Sequence, residues 1–176
     1  MAPKGYLLVS NLNTVDVLNK NDYTLISQLK FDAGEDIKCA LQVNNLILCG
    51  GIKRILYAFD IETFEIVTFY KMHREIQHMI EYDDLILIGE KQGTIEGVRK
   101  KDLLTVFTFT INPDCDIWQL YRTPSKFNEV VAATTNGILF VNLEKNEENE
   151  TTYELNTTHP LFDNYNARGV VEVIPN

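Results

Sequence analysis

An apolar run that closes on a glycine occurs twice, about 40 residues apart: Asn45-Leu46-Ile47-Leu48-Cys49-Gly50-Gly51 and Asp84-Leu85-Ile86-Leu87-Ile88-Gly89-Glu90. Each is preceded by an alternating segment, 37–43 or 76–82, and followed by two more, 55–60 with 65–70 and 94–98 with 104–109. A third set lies at 117–121, 129–134, 137–141 and 151–155, with insertions at 124–128 and 144–150. Short alternating runs rich in Val, Ile, Leu, Phe, Tyr and Thr are the pattern of half-buried strands. Asn44-Asn45, Asp83-Asp84 and Asn136-Gly137 supply turn chemistry between them, since Asn, Asp and Gly tolerate positive φ. Gly50, Gly51, Gly89 and Gly93 mark the second hairpin of each unit. Helical periodicity is hard to find.

The first unit is short. Residues 6–10, 14–18 and 24–30 align with second, third and fourth strands, and no first strand precedes them. At the other end Arg168-Gly169-Val170-Val171-Glu172-Val173-Ile174 has the alternation of a first strand. Whole quartets recurring at this period predict an all-β fold, a β-propeller of four four-stranded antiparallel blades forming one domain over 1–176. The blades are expected at 6–31 with 168–174, 36–72, 75–111 and 116–156. A β-sandwich would show turns at similar spacing but not recurring quartets. A blade buries both faces against neighbours, so an open stack would expose two apolar faces. Gly169, Val170, Val171, Val173 and Ile174 are the expected closing strand. Three arrangements stay open: a four-bladed ring within one chain, an eight-bladed ring of two chains by strand exchange, and a piece of a longer propeller. The homodimer is preferred among them.

Leu56-Tyr57-Ala58-Phe59-Asp60-Ile61-Glu62-Thr63-Phe64-Glu65-Ile66-Val67 resembles the third strand, turn and outer strand of a WD repeat, with Phe59-Asp60 at the position of the family's dipeptide. Val98-Arg99-Lys100-Lys101-Asp102-Leu103-Leu104 and Val141-Asn142-Leu143-Glu144 are similar. The resemblance runs from Tyr6 to Ile174, with no Trp at the dipeptide position and no Gly-His opening a repeat in phase. It implies a non-catalytic scaffold that presents loops to a protein or peptide partner. The docking face would combine the loops between second and third strands (11–13, 51–54, 90–93, 135–137) with those between blades (31–36, 72–75, 112–116, 157–168). Lys53, Arg54 and Arg74 form a basic cluster near that face, suited to an acidic peptide, and His73 lies beside Arg74. Trp118 and Tyr121, on an inner strand, are candidate aromatic anchors. The second reading is a structural module whose self-assembly by strand exchange is its main role.

Charge and composition narrow the alternatives. Sixteen Lys and Arg against 25 Asp and Glu give a formal charge of −9, the wrong sign for nucleic acid or an anionic membrane. The acidic insertion 144–150 is read as a solvated hairpin tip or a contact for a basic segment. No apolar run approaches the roughly 20 residues of a bilayer span, and the N-terminus lacks a signal-peptide core. Three cysteines without a Cys-x-x-Cys pair argue against a disulfide framework or zinc site, so the cytoplasm is expected. In that compartment the acceptor patterns at Asn149 and Asn156 would go unused. Cys39 and Cys49 read as inert core thiols, and Cys115 as a thiol whose ionisation its flanking Asp114 and Asp116 oppose. His78 reads as an inner-strand residue, since no second histidine stands at ligand spacing. No nucleophile elbow, phosphate loop or catalytic acid pair emerges; Asp83-Asp84 and Asp114 with Asp116 fit turns. No enzyme, metal or cofactor is expected.

Overall fold

The computed structural model describes residues 5–123, 129–145 and 153–161 of the chain. They form fifteen strands in four antiparallel sheets, and among the described residues there is no helix. The first sheet takes β1 (Tyr6–Asn11), β2 (Thr14–Asn19) and β3 (Leu25–Lys30). The second takes β4 (Ile37–Val43), β5 (Leu46–Gly51), β6 (Ile55–Asp60) and β7 (Ile66–Lys71). The third takes β8 (Ile76–Tyr82), β9 (Leu85–Glu90), β10 (Thr94–Arg99) and β11 (Thr105–Thr110). The fourth takes β12 (Ile117–Arg122), β13 (Glu129–Thr134), β14 (Gly137–Lys145) and β15 (Tyr153–Leu161). Within each sheet the strands lie in chain order.

The chain divides into two compact units, Met1–Ile76 and Gln77–Asn176. In the first, Val15, Val17 and Leu29 of the first sheet share an apolar cluster with Ile37, Ile47, Cys49 and Phe59 of the second. In the second, Leu85, Leu87 and Ile95 meet Ile117, Leu120, Val130 and Val141 of the fourth sheet. Each such aliphatic side chain, fully buried, contributes about 1.5–3 kcal/mol. The two clusters are built alike: β4 packs on β1 as β12 packs on β9. Strand β1 therefore holds the place of a second strand, and the first sheet lacks a first one among the described residues.

The turns repeat as closely as the strands. Tyr23, Phe64 and Leu103 all adopt positive φ, near 60°. Each donates its N–H to the residue that ends the preceding strand, Asn19, Asp60 or Arg99, at 2.8–2.9 Å. Left-handed backbone is costly for side chains of this size, so it is the closure of the turn, not residue preference, that sets the conformation. Asp60, half of the dipeptide that carries the family resemblance, accepts the N–H groups of Glu62 and Thr63 at 2.9 and 2.8 Å. Those two bonds hold its carboxyl below the usual carboxylate range. In the third sheet Arg99 stands in its place and makes two hydrogen bonds to Asp102.

Two expectations shift. Gly50 and Gly89 lie inside strands, not in turns. There a Cβ on Gly50 would lie 2.6 Å from Ile76, and one on Gly89 2.7 Å from Ile117. Strand β15 runs to Leu161 where a loop from 157 was expected. Its register against β14 skips between Thr158 and Leu161, which leaves Pro160 outside the ladder that its missing N–H could not serve. The insertion 124–128, residues 146–150 of the acidic insertion and the closing strand Gly169, Val170, Val171, Val173 and Ile174 lie outside the described residues.

Candidate partner-binding face

In each unit the turns after the second strands are tied to the segments that lead from sheet to sheet. In the first unit Ile37 donates its N–H to Leu12 O at 2.7 Å, Ile52 to Asp36 O at 3.2 Å, and Met72 to Arg54 O at 2.8 Å. The approach is close: a Cβ on Gly51 would fall 2.0 Å from Asp36 O. In the second unit Gln92 donates its N–H to Asp116 Oδ1 at 3.0 Å, Thr135 to Asp116 O at 3.0 Å, and Ile111 to Gly93 O at 2.9 Å. Gly93 has φ +60° and sits against Asn112 O, so a side chain there is excluded twice over.

The Met72–Arg54 bond brings the two basic segments together: Lys53 and Arg54 on one loop, His73 and Arg74 on the next, all four exposed. Beside them on the loop surface stand Leu12, 68 % exposed, and Ile52. Lys53 is anchored at both ends. Its N–H meets Glu35 Oε1 at 3.1 Å and its ammonium meets Ala33 O at 3.1 Å. Glu35 is nearly fully buried, and its other oxygen accepts the Tyr57 hydroxyl at 3.3 Å. Burial pushes the Tyr57 hydroxyl up, and the Glu35 charge pushes it further. A buried carboxylate under a basic loop is a feature that the sequence reading missed, because Glu35 lies in a polar loop with no pattern to mark it.

Trp118 and Tyr121 lie on β12 in the second unit and do not act as a pair. Trp118 is the extra residue of a bulge, where the register passes from Ile117–Thr134 to Gln119–Ala133, and bulges re-aim side chains. It therefore sits at the Asp116–Thr135 end of the strand, with the loop surface. Tyr121 is about 10 Å further along the strand. Its neighbour Arg122 bonds Asp83 at 2.9 Å and lies over the Tyr82 ring. Both aromatic residues are half-buried.

His78, on β8, is a structural acceptor: its Nδ1 takes the N–H of Leu120 at 3.3 Å, joining the third sheet to the fourth. Burial lowers its pKa and keeps it neutral. Burial pushes the Cys39 thiol up to about 12 and Cys49 higher still. For Cys115 burial also outweighs the flanking aspartates as the cause of its raised pKa. Among the described residues no cluster of His, Cys, Asp and Glu could hold a metal ion, and no helix is long and apolar enough to cross a membrane. No protein-family model matches this chain, and no curated protein matches it.

Proposed function

We propose that the chain is a WD-repeat-like propeller module of the cytoplasm that binds a protein or peptide partner without catalysis, through the loop face that holds Lys53, Arg54, His73 and Arg74. One observation carries the reading. The turns and inter-sheet segments are hydrogen-bonded to one another at Leu12–Ile37, Asp36–Ile52 and Arg54–Met72, so their exposed side chains stand on a fixed surface. A pre-ordered surface loses little conformational entropy on binding. Two exposed arginines, an exposed lysine and neighbouring Leu12 and Ile52 suit an acidic segment with apolar residues. In the second unit Trp118 offers an aromatic anchor. Titration of a glutamate-rich peptide into the chain and into Lys53→Glu/Arg54→Glu tests this. A tenfold or greater loss of affinity is expected, and equal affinity would overturn the assignment of the basic loop.

A further inference from the structure

Strand β7 is the outer edge of the second sheet, and among the described strands β6 alone pairs with it. The ladder with β6 continues into the loop, where Met72 donates its N–H to Arg54 O at 2.8 Å. Residues of an antiparallel strand turn their backbone groups alternately to one side and the other. With Met72 turned to β6, Tyr70 and Thr68 follow it, while Phe69 and Lys71 turn their N–H and C=O groups to the open side. At Val67 the register shifts, with Thr68 opposite Ala58 and Ile66 opposite Phe59, a bulge that interrupts the edge. The regular part of the edge is therefore 68–71, at the end of β7 that leads into His73 and Arg74.

The side chains along β7 are not those of a protected edge. From Ile66 to Tyr70 there is neither a charge nor a proline, the residues that commonly blunt exposed edges. Paired residues share a face, so Ile66 and Phe69 stand with Phe59 and Tyr57, on the face turned to the first sheet, and Lys71 continues the row. Ile66 is 52 % exposed there and Phe69 66 %. The same places in β11, set by the same bulge, are Thr105, Thr108 and Thr110, all exposed. A sheet of this repeat is thus built equally well with three threonines in the row, and packing does not call for isoleucine, phenylalanine and lysine.

We infer that β7 accepts an added strand from the acidic partner, an extended segment in which acidic residues come first and apolar residues follow. On the acidic-peptide reading of the basic loop, on which this rests, the partner continues from the loop along β7. Charge sets the direction. Lys71 ends the strand and Arg54, His73 and Arg74 lie just past it, so the acidic residues belong at that end. Every ladder of the second sheet is antiparallel, and a strand added in the same sense runs from the loop down β7. An acidic residue then faces Lys71, and the residue two further on, on the same face, meets Phe69. The N–H and C=O groups of Phe69 and Lys71 pair with the segment's backbone, and the row Lys71, Phe69, Ile66 selects its side chains.

The test compares two labelled peptides on the full chain, Glu-Glu-Glu-Thr-Val-Thr-Val and the same peptide with serine for each valine. The parent is expected to bind the valine peptide about tenfold more tightly. Phe69→Ser, its fold matched to the parent by circular dichroism, should bring the two affinities together. Methylation of the first valine's nitrogen, whose N–H would bond the Phe69 carbonyl, should remove most of the gain. Equal affinity of the parent for both peptides, or a gain that survives either change, would overturn the strand addition. Failure of the serine peptide alone to bind would count against the basic loop and uphold β7, and failure of both peptides would overturn both.

Discussion

Gly50 and Ile76 fit together as a socket and plug: a Cβ on the glycine would lie 2.6 Å from the isoleucine Cδ1, and the pair recurs one repeat later as Gly89 and Ile117. Neither glycine has positive φ, so what the position demands is the absence of a side chain. The repeat visible in the sequence as an apolar run ending in glycine is therefore a packing device between sheets.

Gly89→Val would drive two methyl groups into Ile117 and Leu120, whose nearest atoms stand 2.7 and 3.2 Å from the added Cβ. Overpacking of this kind costs about 1–3 kcal/mol. Urea denaturation should show the loss as a lower midpoint at an unchanged slope, and Ile117→Ala in the same chain should recover part of it.

Glu35→Ala removes the acceptor for the Lys53 N–H and the Tyr57 hydroxyl beneath the basic loop. Hydrogen bonds to a charged group contribute about 1.5–3 kcal/mol. A stability loss of about 2 kcal/mol is expected, with faster amide exchange at Lys53 and Arg54. Unchanged exchange there would show that the loop does not depend on Glu35.

His78 makes stability depend on pH. Its folded pKa lies below the unfolded value of about 6.5, so the unfolded chain binds the proton more readily. The contribution is complete above that value and is lost as pH falls from it towards the lowered folded pKa. Urea midpoints at pH 7.5 and 5.5 should therefore fall further for the parent than for His78→Gln. Equal changes would place the acid sensitivity elsewhere.

Strands were legible wherever alternation and turn chemistry coincided. Ile37–Val43, Ile55–Asp60, Ile76–Tyr82 and Glu129–Thr134 stand as the alternation placed them, and Asn44 and Asp83 adopt the positive φ expected of their turns. Leu12, Tyr23, Arg54, Phe64 and Leu103 also take positive φ, and no residue preference announces it. The conformation there follows from closing hairpins between strands already fixed by packing. The basic loop was legible as charge, but its anchor Glu35 was not, because burial of a lone acid is decided by the fold around it. Trp118 was visible as an aromatic residue on an inner strand; the bulge that sets it at one end was not.

The basic loop face is tested most directly by the affinity of a glutamate-rich peptide for the parent chain and for Arg54→Glu/Arg74→Glu, with circular dichroism to match the fold of the two. Both arginines are exposed on the loop surface that the Arg54–Met72 hydrogen bond holds together, so the variant should bind at least tenfold more weakly. Equal affinity for parent and variant would contradict the account.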